Sequence, residues 1–194
     1  MPELPEVETV KEALNQTVKG QTIKDIELRY EPMVKNMSAD EFKEKLINQT
    51  IQEVSRRGKY LVFHFDDYQL LSHLRMEGKY FYVDSDFELN PHVHAIFTLE
   101  NGKRLLYQDT RKFGTYHLYD KAIDLETTAP FQVLGLEPFA TEFTPSYVKE
   151  KIQNKKKPIK SLLLDQTVVC GLGNIYVDEV LYRARLHPLT SSSE

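Results

Sequence analysis

Apolar residues recur at helical spacing at the start of the chain and then change to strand-like alternation. Val7, Val10, Leu14 and Val18 fall on one helical face. Pro5 fits the first turn of such a helix, because its missing N–H would be unpaired there anyway. We therefore predict a helix over residues 5–18. The segment QTIKDIELRY that follows alternates apolar and polar residues, as a half-buried strand does.

A second short helix and a long run of strands are predicted next. Ser38 with Glu41 is a capping-box pattern, which predicts a helix through Leu46. Between residues 50 and 119, short alternating segments follow one another without helices between them: KYLVFHFD, LLSHLR, KYFYVD, HVHAIFTLE, KRLLYQD and TYHLYD. Asn101-Gly102 between two of them is a strong hairpin signal. Six or more strands at this spacing favour an antiparallel sandwich or barrel.

The last third of the chain changes character again. Periodicity weakens over residues 120–143, and helical patterns return in PSYVKEKIQ, PIKSLLLDQ and NIYVDEVLYRARL. We predict an α+β protein in which an N-terminal helix and a two-layer antiparallel β-sandwich occupy residues 1–130. A linker over 131–143 then leads to a helical domain over 144–194.

Composition and charge narrow the function classes. Hydrophobic residues make up 41% and charged residues 28% of 194 residues, which is typical of globular domains. No apolar run spans a bilayer and MPELPEVETV lacks the features of a signal peptide, so we expect a cytoplasmic protein that does not enter a membrane. The net charge of −4 argues against a polyanionic partner, yet residues 151–194 carry seven Lys/Arg against four acids. Such asymmetry is a hint of nucleic-acid contact, although a basic run is also common on an ordinary solvated helix.

The N-terminal residues are the first candidates for chemistry. Removal of Met1 would leave a secondary amine on Pro2, and an α-amino group has a pKa near 8, so much of it is nucleophilic at neutral pH. Attack on a sugar C1′ would give a cationic iminium, with Glu3 beside it as proton donor and Glu6 one helical turn further. The alternative is that these residues only begin a helix, with acids that complement its dipole.

Three further segments could contact nucleic acid. Arg56-Arg57-Gly58-Lys59 could approach a phosphate closely, or could be a charged strand end. The segments HLRMEG (73–78) and DTRKFG (109–114) each place a large apolar residue, Met76 or Phe113, beside cations in a turn. Such residues are used as wedges that unstack bases, and Arg111 could fill the space left by an extruded base. The alternative is that Met76 and Phe113 belong to the core.

The glycine-rich segment QTVVCGLGNIYVD (166–178) is the fourth candidate. Two glycines and Asn174 at the start of a helix could form a phosphate-binding helix N-terminus, or only a turn between packed helices. Cys170 sits among apolar neighbours and is interpreted as a small buried residue. One cysteine cannot form an internal disulfide, and the His92-x-His94 pair is a weak metal signal, so we assign no metal ligands.

Taken together, these segments form a family signature. PELPEVET (2–9), RRGKYL (56–61), SHLRMEGKY (72–80), DTRKFG (109–114) and LLLDQTVVCGLGNIYVDEVLYRA (162–184) occur in order and with fitting spacing. They closely resemble the corresponding motifs of bacterial formamidopyrimidine-DNA glycosylases. The resemblance runs from Pro2 to about His187. It implies a monomeric bifunctional repair enzyme that acts on double-stranded DNA containing an oxidised purine or an abasic site.

The resemblance also implies roles for individual residues. Pro2 matches the amine that displaces the base through a Schiff base followed by β- and δ-elimination, and Glu3 matches the general acid. Lys59, in RRGKYL, matches a lysine that binds phosphate near the lesion and supports catalysis, and His73, in SHLRMEGKY, is expected to contact DNA. Met76, Arg111 and Phe113 match the triad that fills the void left by the extruded base. Lys160 matches a lysine important for handling the oxidised base. Asn174 matches the phosphate-binding asparagine of a helix–two-turns–helix motif.

One departure from the family pattern leads to an alternative hypothesis about function. Family chains continue into a four-cysteine zinc finger, so one structural zinc is expected of the full-length family, whereas this sequence stops at Glu194 with one cysteine and no cofactor of its own. The sequence thus leaves open a truncated, catalytically silent DNA-binding fragment. A plain β-sandwich interaction module with no DNA affinity is a third hypothesis.

Overall fold

The computed structural model describes residues 1–194, which divide into two compact units, Met1–Asp124 and Leu125–Glu194. The first unit begins with helix α1 (Leu4–Thr17) and contains one further α-helix, α2 (Ala39–Leu46), and a short 3-10 helix over Glu31–Met33. Its strands are β1 (Ile23–Leu28), β2 (Ile51–Arg57), β3 (Tyr60–Phe65), β4 (Tyr68–His73), β5 (Lys79–Val83), β6 (Val93–Leu99), β7 (Arg104–Gln108) and β8 (Thr115–Asp120).

Both α-helices of the first unit begin within one residue of the positions that the local sequence signals predict. α1 starts one residue before the predicted position and buries Leu4, Val7 and Leu14. At α2, the Ser38 hydroxyl accepts the Glu41 backbone N–H at 3.1 Å, which satisfies one of the N–H groups that the first helical turn leaves unpaired. The predictions of these two helices are confirmed.

The eight strands form two antiparallel four-stranded sheets. Their orders are β1-β6-β7-β5 and β2-β3-β4-β8. The β6–β7 hairpin turns at Asn101-Gly102 as predicted, with Gly102 at φ +85°, a left-handed conformation that glycine adopts without steric cost. β4 and β5 are consecutive in the chain but belong to different sheets, so the turn between them carries the chain from one sheet to the other.

The main apolar core lies between the sheets and is closed by α1 and α2. It draws buried residues from both sheets and both helices: Val7, Leu14, Ile26, Phe42, Val54, Phe63, Leu70, Phe97, Leu105 and Leu118. A register shift in the β1–β6 pairing between Ile23 and Asp25 turns both Ile23 and Ile26 inward, although their separation is odd. The predicted two-layer antiparallel sandwich is thereby confirmed.

The second unit is helical, with α3 (Pro145–Ile152), α4 (Ile159–Leu164) and α5 (Asn174–Ala184). Ile159 of α4 packs with Val177 and Leu181 of α5 in a small core. Residues 131–143, which we predict to be a linker, include the buried Phe131, and the backbone at Leu136 pairs with that at Val169. The linker boundaries stay a prediction. No helix combines the length and the hydrophobicity that a bilayer span requires.

Candidate functional site

The N-terminus approaches α1 through an extended residue. Glu3 is 3% exposed and has extended backbone angles, and its N–H donates to the Glu6 carboxylate at 3.0 Å. Pro2 is half-buried beside this turn. These residues do begin the helix, as the simpler interpretation expects. Because these residues begin the helix, the backbone that follows the Pro2 nitrogen has a fixed conformation.

A groove of about 370 Å³ runs from Pro2 along one side of α1. Its other wall is the β4–β5 turn and β5, including Met76 and Gly78. Pro2 and Met76, which the sequence places 74 positions apart, therefore line the same groove. The structure thus brings the predicted nucleophile and one of the predicted wedge residues to one side of the first unit.

The RRGK segment spans the end of β2 and the β2–β3 turn. Gly58 has a φ of +60°, and Lys59 is buried just beyond it. Arg56 is held within the protein, because its Nε donates to Glu8 at 2.6 Å and its Nη1 donates to the Gly58 carbonyl at 2.9 Å. Arg56 thus ties this turn to α1, a use that the sequence pattern alone does not indicate.

His73 ends β4 and precedes the Met76 turn. Its ring is buried, its Nδ1 accepts the Arg75 backbone N–H at 3.0 Å, and its edge meets the ring of Tyr60 with the centroids 4.6 Å apart. Burial, followed by the nearby charges of Arg75 and Lys59, lowers the pKa of His73 to about 3. His73 is therefore neutral at physiological pH, with its proton on Nε2.

The two predicted wedge residues are exposed rather than part of the core. Met76 is 44% exposed and Phe113 is 51% exposed. The Arg111 guanidinium lies 4.9 Å from the centre of the Phe113 ring, so the two side chains share one surface. The alternative that Met76 and Phe113 are core residues is therefore wrong.

The two exposed turns meet over one buried residue. Gly78 ends the turn that carries Met76, and Gly114 ends the loop that carries Arg111 and Phe113. Both glycines border the hydroxyl of Tyr107 in β7. Neither Tyr107 nor Asp109, which binds the loop backbone, stood out in the sequence as a functional candidate. The one available signal was the position of Asp109 at the head of the DTRKFG motif.

In the second unit the glycine-rich segment leads into α5. Asn174 is exposed at the first position of that helix, and Gly171 has a φ of +107°. Gln166 holds the turn together, because its amide donates to the Leu164 and Leu172 carbonyls at 3.0 Å each and accepts the Gly171 N–H at 2.9 Å. Gln166 is a supporting residue that the motif contains but that sequence reasoning did not single out.

Lys160 lies on α4, where its ammonium group contacts a residue of α5. Its Nζ is 2.7 Å from Asp178 Oδ1, and both side chains are partly exposed. An exposed ion pair of this kind contributes little stability, so Lys160 can exchange Asp178 for another anionic or polar partner at small cost.

The residues present do not fit a structural zinc ion. Cys170 is the one cysteine and is fully buried, and no three His, Cys, Asp or Glu side chains are gathered as metal ligands. His94 of the His-x-His pair donates from Nε2 to the Asp109 carbonyl at 2.6 Å.

Comparison with known proteins identifies both units. Residues 1–116 match the family model of the formamidopyrimidine-DNA glycosylase N-terminal domain, and residues 134–194 match that of the formamidopyrimidine-DNA glycosylase H2TH domain. Together the two matches define a DNA glycosylase built from a β-sandwich unit and a helical unit. The chain belongs to the formamidopyrimidine-DNA glycosylase family.

Individual relatives agree with this assignment. The chain is 49% identical to the formamidopyrimidine-DNA glycosylase of Bacillus subtilis and 50% identical to that of Lactobacillus johnsonii, covering 100% and 99% of this chain but 70% and 69% of those proteins. A structure of Lactococcus lactis Fpg in complex with DNA containing an abasic site matches with a TM-score of 0.92 at 42% identity. The match covers 99% of this chain and 70% of the Lactococcus lactis chain.

Proposed function

We propose that this protein removes oxidised purines, 8-oxoguanine and formamidopyrimidines, from double-stranded DNA and then nicks the strand at the resulting abasic site. One observation carries the proposal. Pro2 and Met76 line one groove, and the turn that carries Met76 meets the loop that carries Arg111 and Phe113 at Tyr107. An amine nucleophile and three side chains suited to replacing an extruded base therefore share one side of the first unit.

Base removal begins at Pro2 once Met1 has been cleaved. The lone pair of the secondary amine attacks C1′ of the damaged nucleotide, a bond from nitrogen to C1′ forms, and the bond from C1′ to the base breaks with its electron pair on the base, which is protonated as it leaves. The bonded nitrogen loses its N–H proton to solvent, Glu3 donates a proton to the deoxyribose ring oxygen, and the nitrogen lone pair opens the ring to an iminium ion. Loss of a C2′ proton then expels the 3′ phosphate, and loss of a C4′ proton expels the 5′ phosphate. Water hydrolyses the remaining iminium bond, so the sugar remnant leaves as an unsaturated aldehyde and the Pro2 amine is regenerated. The product is a one-nucleotide gap with phosphates at both ends.

Extrusion of the base requires a replacement in the stack. A purine inside a duplex cannot reach the Pro2 amine until it is unstacked and rotated out. The exposed side chains of Met76 and Phe113 are apolar wedges of the kind that enter base steps, and Arg111 supplies hydrogen-bond donors for the base left without a partner. Lys59 and neutral His73 lie next to the Met76 turn, where they bind backbone phosphates.

The second unit contributes phosphate contacts and recognition of the lesion. Asn174, at the start of α5, binds a DNA phosphate, assisted by the positive end of the helix dipole. Lys160 releases Asp178 and contacts the oxidised base. The DNA complexes of Lactococcus lactis Fpg support double-stranded DNA with an abasic site or lesion as the partner.

Borohydride trapping tests the proposal directly. The protein with Pro2 free is incubated with duplex DNA that carries 8-oxoguanine opposite cytosine or an abasic site, and borohydride reduces the iminium ion to a stable covalent adduct. We expect one protein–DNA adduct joined through Pro2. Pro2→Gly keeps an amine but makes it primary and should slow trapping, whereas blocking Pro2 by retention of Met1 should abolish it.

A matched control separates chemistry from folding. Pro5→Ala changes the other proline of the same turn without touching the terminal amine, and it should trap as the unchanged protein does. If protein with a free Pro2 amine formed no adduct with either DNA, the proposed enzymatic function would be refuted. Salt-dependent DNA binding without an adduct would then identify the catalytically silent DNA-binding protein, and absence of any gel shift at low salt would leave the interaction module.

A further inference from the structure

The hydroxyl of Tyr107 lies directly between the two turns that carry the predicted wedge residues. Tyr107 is almost fully buried in β7. A Cβ atom built on Gly78 would lie 2.6 Å from this hydroxyl oxygen, and one built on Gly114 would lie 1.6 Å from it. Both distances are shorter than real carbon contacts, so both turns close onto the hydroxyl and only glycine fits at either position.

Asp109 fixes the second of these turns through its side chain. Its Oδ2 accepts the Tyr107 hydroxyl at 3.1 Å and the Gly114 N–H at 2.8 Å, and its Oδ1 accepts the Arg111 N–H at 3.0 Å. A carboxylate only accepts hydrogen bonds, and all three donors here point at it. The buried Asp109 thus fixes the backbone on both sides of Phe113, while the Tyr107 hydroxyl that it binds packs against Gly78 of the neighbouring turn.

The tips of both turns have backbone conformations that need such support. Arg75 has a φ of +55° and Lys112 a φ of +57°, in the left-handed region that side chains with a Cβ adopt at a cost. Lys112 also places its ammonium 5.1 Å from the centre of the Tyr30 ring. Left without the hydrogen bonds to Asp109, the Lys112 segment would relax to more favourable angles, and Phe113 would lose its fixed position relative to Met76.

We propose that Tyr107 and Asp109 are positioning residues that hold the Met76 turn and the Arg111–Phe113 loop in one fixed arrangement, so that the three side chains enter the duplex together. This inference rests on the proposed function, because it assigns the support of the wedge residues in that reaction. Neither Tyr107 nor Asp109 contacts the DNA. They act by fixing the conformation of the two turns in the free protein, before DNA binds.

Hydrogen exchange of the free protein tests the structural part of the inference. Asp109→Asn replaces an accepting oxygen by an NH₂ group that faces other donors, and Tyr107→Phe removes the hydroxyl. We expect amide exchange in residues 110–114 to rise at least about tenfold in both variants, the equivalent of one lost buried hydrogen bond. In Tyr107→Phe the rise should extend to residues 74–78.

Tyr116→Phe is the matched control. Its hydroxyl is equally buried in the same core but pairs with the Tyr80 hydroxyl at 2.7 Å. It should therefore destabilise the unit without loosening either turn selectively. Equal exchange changes in all three variants, or no change in either turn, would overturn the inference.

Activity on two substrates tests the functional part. Excision of 8-oxoguanine from a duplex requires the wedge residues, whereas cleavage at an abasic site in single-stranded DNA requires no base to be replaced. We expect Asp109→Asn and Tyr107→Phe to slow duplex excision at least about tenfold and to leave single-strand cleavage unchanged. A 2-aminopurine next to the lesion should show less unstacking with both variants than with the unchanged protein.

The results distinguish failure of the positioning role from failure of the proposed function. Equal losses on both substrates would mean a general structural role and would overturn the positioning role. If the unchanged protein forms no adduct with either DNA, the proposed function fails. The exchange experiment by itself then decides whether Tyr107 and Asp109 hold the two turns.

Discussion

Burial keeps His73 uncharged over the pH range in which an exposed histidine titrates, and this makes the stability of the first unit depend on pH. The imidazole packs on Tyr60, and its Nδ1 already accepts the Arg75 N–H, so the native state offers no place for a second ring proton. The native pKa is about 3, against an ordinary value of about 6.5. We predict that lowering the pH from 7.5 to 4.5 destabilises the protein through this one group.

The sign and size follow from the two pKa values. Between pH 6.5 and pH 3 the unfolded chain binds a proton at His73 that the native protein does not bind, so falling pH favours unfolding. The contribution is fully present above pH 6.5 and is lost at about 1.4 kcal/mol per pH unit below it. At pH 4.5 the loss reaches about 3 kcal/mol, and below pH 3 it stops growing.

Urea unfolding of the unchanged protein and of His73→Asn at pH 7.5, 6.5, 5.5 and 4.5 measures this contribution. The asparagine carbonyl replaces Nδ1 as acceptor for Arg75, and it does not titrate. The stability advantage of the unchanged protein over the variant should shrink by about 3 kcal/mol between pH 7.5 and 4.5. His64 and His117, whose pKa values burial also lowers, are present in both proteins and cancel. Parallel stability curves for the two proteins would refute the reasoning.

Three other substitutions test packing and exposure in the first unit. Gly114→Ala should lower the free energy of unfolding by about 2 kcal/mol or more in urea, because the new Cβ would overlap the Tyr107 hydroxyl. Asn15→Ala should cost about 2 kcal/mol in the same measurement, since that amide donates to the Val54 carbonyl at 2.7 Å and accepts the Val54 N–H at 2.9 Å. Phe113→Ala should change stability by less than about 0.5 kcal/mol. It should slow excision from duplex DNA at least about tenfold, because an unstacking wedge is lost.

Each of these has a matched control. Gly20→Ala has open space around the new Cβ and a φ of +85°, so it should cost only the backbone strain of about 1 kcal/mol. Gln16→Ala changes the exposed neighbour of Asn15 on the same helix and should be nearly neutral. Phe87→Ala removes a phenylalanine that is 45% exposed outside the motifs, and excision should be unaffected. If Gly114→Ala and Gly20→Ala lowered the free energy of unfolding equally, the explanation by overlap with Tyr107 would be wrong. A loss of excision activity in Phe87→Ala would contradict the specific role of Phe113.

Local signals predicted the individual elements well. Ser38 caps α2, and Asn101-Gly102 turns the β6–β7 hairpin, because each depends on a few neighbouring residues. The bulge near Ile23 was not predictable from alternation, since it depends on pairing with β6. The assignment of β4 and β5 to different sheets was also not predictable from the sequence pattern. Alternation shows that a strand has a buried face but not which strand lies beside it.

The sequence by itself determined the chemical groups and their order along the chain. It placed Pro2 and Glu3 at the start of a helix and Met76 and Phe113 in turns, because helix starts and turns are set by short-range backbone preferences. Only the tertiary structure decided that the two turns meet at Tyr107 and that His73 is buried. Burial and proximity arise from contacts between residues far apart in the chain, so spacing along the sequence does not determine them.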